Sequence, residues 1–210
     1  MTYIEDYQPY FLYSHFSFPS HERKRKIKKN KLLNDFDKLF FNFLIIIKYK
    51  IPIIYNRHEE KNIKLNIAQN MESFKYKHKD AIINHLCYEE DIDLKVLDCL
   101  AAYFKINIIY YYGNVMLKML HGEQENMFWL NDKKDIFTLK RDKYEDWIQM
   151  SSTYYEINDV YKPLYSVSHY KADELKFIAY KMNIMKESDK KILKKDYYDM
   201  IEKYIQTILF

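Results

Sequence analysis

Glycine is nearly missing from this chain: 2 in 210 residues, Gly113 and Gly122, isolated from one another. A Walker-type or dinucleotide-binding phosphate loop needs several glycines close together, so both are excluded. Proline is also scarce, with 4 residues. The 2 cysteines, Cys87 and Cys99, are too few for a disulfide framework or a cysteine-only zinc site. A reduced, intracellular setting is the expectation. No apolar stretch reaches the roughly 18 residues that a membrane-spanning helix requires. The longest, Leu39 to Ile47, is broken by Asn42 and stops at Lys48, so no membrane span is expected. The first residues, MTYIEDYQPY, are acidic and lack the layout of a signal peptide.

What the chain does contain is aromatic: 22 Tyr and 13 Phe, within a composition 48% hydrophobic and 30% charged. That balance is globular rather than disordered. Ile, Lys, Asn and Tyr share AT-rich codons, so the tyrosine excess reflects coding bias before it reflects function. The net charge is +4, but segment 21–31, HERKRKIKKNK, holds seven Lys/Arg against one Glu. That segment alone is +6, which leaves −2 for the remaining 199 residues. The basic character is one local patch.

No internal repeat and no Pro/Gly/Ser-rich linker appears. Residues 1–20 read as an extended aromatic arm, and 21–34 as a basic stretch opening a helix. A helix or strand is expected over 36–48, limited by Pro52, then a strand over 51–55. Residues 62–88 look mostly helical. Leu94, Leu97, Leu100, Ala101 and Phe104 repeat at helical spacing behind Asp91 or Asp93, either of which could cap the helix. INIIYYY (106–112) and VMLKML (115–120) flank Gly113-Asn114, a two-residue hairpin signal. MFWL (127–130) and IFTL (136–139) extend the hairpin into a meander. Near the C-terminus, Leu175, Ile178, Ala179 and Met182 mark one helix face, and Tyr197, Met200, Ile201, Tyr204, Ile205 and Ile208 a second. The expectation is an α+β domain over 1–160 and a small two-helix module over 161–210.

Few residues announce chemistry. Cys99 lies beside an apolar helical stripe, and Cys87 precedes the acidic YEED, so both read as core thiols and not as nucleophiles. The seven histidines (15, 21, 58, 78, 85, 121 and 169) show no zinc-ligand spacing. No metal or cofactor is expected. The carboxylates of EEDID (89–93) read as a solvated loop with a helix cap. The basic run, through Arg23, Lys24, Arg25, Lys26, Lys28 and Lys29, suits contact with phosphates or an acidic protein surface, and also resembles a nuclear-import signal.

Three resemblances add to this. DFDKLFF (35–41) is similar to the Asp-Gly-Asn-Cys-Leu-Phe motif of the ovarian-tumour-like (OTU) cysteine proteases at Asp35, Leu39 and Phe40. Phe36 stands in place of the turn glycine, Lys38 in place of the nucleophile, and no His-aromatic pair follows in the later strands. The resemblance implies an inactive, degenerate scaffold. The segment from Ser168 to Ile205 resembles the SAP-type helix-extended-helix module of DNA- and chromatin-associated proteins. It rests on YKADELKFIAYKMNI, on Lys190, Lys191, Lys194 and Lys195, and on YYDMIEKYI, without the family's inter-helix glycine. It implies that those four lysines face nucleic acid. Finally, DKLFFNFLIII, DLKVLDCLAAYFKINIIYYYGNVMLKML and the C-terminal helix pair, in this order, look like an uncharacterised family of nucleocytoplasmic large DNA viruses.

The expected function is therefore that of a non-enzymatic viral protein binding nucleic acid, DNA in particular, through the basic run and the four tail lysines. The alternatives are a virion structural or protein-docking component that contacts other virion proteins, and a degenerate OTU- or papain-like protease scaffold. The expected location is the host cytoplasm, viral factory or nucleus, or the virion itself.

Overall fold

The computed structural model describes residues 36–123, 127–130, 136–138, 153–185 and 192–209. The architecture is α+β. Among the described residues, four α-helices precede a five-stranded mixed sheet, and two more follow it.

The continuous apolar run after the basic stretch is a helix, α1 (Lys38–Ile46). Asp37 decides this by accepting the otherwise unpaired N–H groups of Leu39 and Phe40. Leu39, Phe40, Phe43, Leu44 and Ile46 then go into the core. The strand expected over 51–55 does not form. Pro52 supplies no N–H, Asn56 caps the next helix, and Ile53 and Ile54 stand 95% and 74% exposed in an irregular loop.

Helix α2 (Arg57–Asn70) starts at Asn56, whose side chain accepts the Glu59 N–H. Helix α3 (Lys79–Tyr88) buries Ile82 and Leu86. Helix α4 (Leu94–Phe104) is capped by Asp93, which accepts the Val96 N–H at 2.8 Å. Its buried face carries Leu94, Val96, Leu97, Cys99, Leu100 and Ala101. It stops at Lys105, in the left-handed region at φ 53°. With so little glycine, left-handed positions fall to Lys48, His78, Lys105 and Asn183, at a steric cost of roughly 1–2 kcal/mol each.

Strands β1 (Asn107–Tyr112) and β2 (Val115–Leu120) form the expected hairpin, with Tyr112 opposite Val115 and Gly113 at φ +52°. The meander fails at the next step. Strand β3 (Met127–Leu130) pairs in parallel with β1, on the edge away from β2. Asn107 steers the chain there. Its side-chain amide donates to the carbonyls of Gly122 and Glu123, and its carbonyl oxygen accepts the Gly122 N–H at 2.8 Å. The chain leaving β2 is thereby held across the start of β1. Strand β4 (Ile136–Thr138) runs antiparallel to β3, and β5 (Tyr155–Ile157) runs parallel to β2 on the opposite edge.

Ile108 and Tyr110 face the helices, whereas Ile109 and Tyr111 face the other side of the sheet with Met116 and Tyr154. Helices α5 (Ala172–Lys181) and α6 (Lys194–Leu209) take the registers read from sequence. Leu175, Ala179, Met182, Tyr197, Ile201, Ile205 and Ile208 join the same core cluster as α1 and α4. Met200 instead stays 38% exposed. Tyr204 packs its ring 6.2 Å from that of Tyr112, over the hairpin turn. Among the described residues no helix is long and apolar enough to cross a membrane.

Candidate functional site

The acidic residue that opens α1 belongs to a buried charge cluster. The Asp37 carboxylate accepts the Leu39 and Phe40 N–H groups on one oxygen. The other takes the Ile92 N–H at 2.5 Å and Lys64 Nζ at 3.4 Å. Glu60 accepts the Asp37 N–H at 2.7 Å and the Tyr55 hydroxyl at 3.2 Å on Oε2. Its Oε1 meets Lys64 and Arg57, each at 3.1 Å. Lys64 and Arg57 also donate to the Glu90 carbonyl. Burial, with Glu60 beside it, holds the Tyr55 hydroxyl well above the ordinary tyrosine range. Arg57 also pairs with the exposed Asp91 at 3.0 Å, so three carboxylates surround two cations, and the hydrogen-bonding capacity of the buried groups is taken up by backbone and by one another. This is a structural joint between α1, α2 and the 89–93 loop. Lys38, the first helical residue, is exposed.

The surroundings of both thiols disfavour the thiolate, which is the nucleophilic form. Burial pushes Cys99 up to about 12, with Asp98 adding to the shift. Burial also raises Cys87, which is only half-buried and not a full core residue. A raised pKa keeps the thiol protonated and unreactive.

Asp98, largely buried on α4, accepts the Tyr76 hydroxyl on one oxygen and binds His121 Nε2 at 2.6 Å with the other. It clamps the loop between α2 and α3 to the end of β2. Along that loop, SFKYKHK (73–79), burial alternates: Phe74 and Tyr76 turn inward, while Lys75 and Lys77 are exposed. Phe74 packs on Tyr103 at 5.3 Å. Residues 73–76 and 78–81 border an open cavity of about 750 Å3.

From this loop, rings and cations alternate across the surface. Lys77 Nζ lies 4.9 Å from the centre of the Tyr161 ring, which also meets the His78 ring at 5.3 Å. The next residue, Lys162, is exposed and places its Nζ 4.7 Å from the centre of Tyr165. Tyr165, itself 52% exposed, lies 4.5 Å from the His169 ring. The Tyr165 N–H donates to the Tyr170 hydroxyl, and its carbonyl accepts from the Tyr198 hydroxyl on α6, both at 3.1 Å. Lys194 and Lys195 occupy the turn of α6 preceding Tyr198; Lys194 is half-buried and Lys195 exposed. Three nearby acids are engaged with backbone: Asp159 accepts the Tyr161 N–H, Glu174 the Lys171 N–H and Asp196 the Leu193 N–H, while Asp199 and Glu202 beside Tyr198 are exposed.

Of the residues singled out from sequence, Lys194 and Lys195 therefore lie one helical turn before Tyr198, the residue that bonds to Tyr165. Arg23, Lys24, Arg25, Lys26, Lys28, Lys29, Lys190 and Lys191 lie outside the described residues. Sequence reading passed over Lys75, Lys77 and Lys162. The period-two alternation of SFKYKHK was the available signal for the first two. Comparison with known proteins finds no family, no curated protein and no solved structure that matches the chain.

Proposed function

We propose that this is a non-enzymatic nucleic-acid-binding protein, and specifically a DNA-binding protein of a large DNA virus, acting through the basic run 23–31 and the C-terminal helix pair. The observation that carries the reading is the alternation of cations and rings from Lys77 through Tyr161, Lys162 and Tyr165 to the first turn of α6. Such a surface offers ammonium groups to phosphates and flat faces to bases. Residues 161–210 add ten lysines against seven Asp/Glu, a local excess of +3. The viral assignment rests on the order of sequence motifs.

The test is DNA binding by fluorescence anisotropy over a salt series, comparing the native chain with Lys190→Glu/Lys191→Glu/Lys194→Glu/Lys195→Glu. The full chain is used because α5 and α6 share the core, so that truncation at 160 would strip apolar cover from it. Weaker binding with a shallower salt slope supports the reading. Unchanged binding removes the tail from the mechanism.

Docking to another protein, such as a virion component, is the second reading. The exposed pair Ile53 and Ile54 favours it, as apolar side chains that the described fold leaves uncovered. Sedimentation with purified particles, independent of DNA and lost on Ile53→Asp/Ile54→Asp, would support it.

A further inference from the structure

We infer that the ligand of this surface is a single-stranded nucleic acid whose bases stack on the Tyr165–His169 platform; the inference rests on the nucleic-acid reading above. A duplex hides the faces of its bases and presents phosphates and groove edges. A ring can act on base faces only where the bases are unpaired. Tyr165 is built for such a contact. It is half exposed, yet its backbone is held on both sides, by Tyr170 at its N–H and by Tyr198 at its carbonyl. His169 backs its ring at 4.5 Å, and the short helical turn Val167–His169 fixes the spacing. Lys162 rests over that ring on a flexible, exposed arm. An incoming base takes the place of this arm, and the ammonium moves to the phosphate beside it. Lys75 and Lys77 then serve as a phosphate rail leading away from the platform, on a loop pinned by the bonds of Asp98 to Tyr76 and His121.

The experiment measures anisotropy of labelled oligonucleotides of one sequence, single-stranded and duplex, with the full-length protein. The variants are Tyr165→Ala, Tyr165→Phe and Lys75→Glu/Lys77→Glu, each checked for native circular dichroism. The expected result is tighter binding to the single strand. Tyr165→Ala should weaken it by roughly 5- to 150-fold, the range for losing one stacked base, with little effect on duplex. Tyr165→Phe, which keeps the ring, should bind like the native chain. Lys75→Glu/Lys77→Glu should lower the salt slope. Equal or tighter duplex binding, or a Tyr165→Ala variant that binds the single strand normally, overturns this inference; if the tail-lysine reversals still weaken binding, the broader reading survives. Failure to bind either form overturns both.

Discussion

The Tyr198 hydroxyl donates to the Tyr165 carbonyl at 3.1 Å, and this bond joins the last helix to the aromatic turn ahead of α5. Residues three and four apart share a helix face, so Lys194 and Lys195 lie one turn from that junction. Two features far apart in sequence, the helix start carrying Lys194 and Lys195 and the ring pair Tyr165–His169, are thereby joined through Tyr198. Tyr198→Phe removes the bond and keeps the ring. It should lower stability by about 0.5–1.5 kcal/mol, the usual net value of one hydrogen bond, and weaken binding of a single strand. Thermal unfolding and anisotropy on the same samples check both. A change in stability with native affinity would show that the junction does not position the platform.

The charge cluster under α1 gives a larger effect. Lys64 is 2% exposed and meets Asp37 and Glu60. Lys64→Met keeps most of the length of the side chain but leaves Asp37 with neutral donors alone and Glu60 with Arg57, which Asp91 shares. Removing one partner of a buried pair costs about 3–5 kcal/mol. Urea unfolding should show a loss of unfolding free energy of that size, read from the midpoint shift at unchanged m-value. A shift below about 1 kcal/mol, the value of an ordinary surface pair, would contradict the role given to this cluster.

The shortage of glycine has a testable consequence. Lys105 closes α4 at φ 53° and ψ 50°. Lys105→Gly relieves a steric cost of about 1–2 kcal/mol against about 0.5–1 kcal/mol of added unfolded-state entropy, so a net gain of about 0.5–1 kcal/mol is expected. At Gly122 the sign reverses. An added Cβ would run into the Lys105 carbonyl, and Gly122→Ala should cost about 1–3 kcal/mol, as overpacking does. Chemical denaturation of the two variants measures both.

Much of this fold was legible in the sequence because local signals agreed. Asp91 or Asp93 ahead of an apolar helical repeat marked α4, with Asp93 taking the cap in the fold, and Gly113-Asn114 between apolar runs marked the hairpin. The run Leu39–Ile47 has no period to separate helix from strand; the cap at Asp37 settles it in the fold. The parallel pairing of β3 was hidden because it depends on the Asn107 side chain gripping Gly122 and Glu123, a contact between residues 15 and 16 positions apart. The candidate surface was legible only at its C-terminal end. Its middle exists because Asp98 pins Tyr76 and so brings Lys77 over Tyr161, a tertiary arrangement that no local pattern encodes.

Alkaline pH should unfold the protein. Burial is the first cause of raised pKa at Tyr76, Tyr155 and Tyr161, and it lifts Cys99 to about 12. The unfolded chain then loses these protons first. It binds fewer protons than the native state, so stability falls as pH rises. The contribution is fully present below the unfolded pKa values, about 8.5 for Cys and about 10 for Tyr, and is lost progressively above them. Tyrosinate absorbance of these buried groups should therefore appear together with loss of circular dichroism. A smooth titration near pH 10, the free-tyrosine value, with the fold intact would contradict their burial.

The most direct test of the central claim is the salt dependence of DNA binding by the full-length chain and by its Lys190→Glu/Lys191→Glu/Lys194→Glu/Lys195→Glu variant. The proposed interface predicts a steep linear fall of log affinity with log salt for the native chain. The variant's slope should be shallower by about 0.7–0.9 for each phosphate that it no longer neutralises. Superimposable slopes for the two proteins, or no binding at low salt, would contradict it.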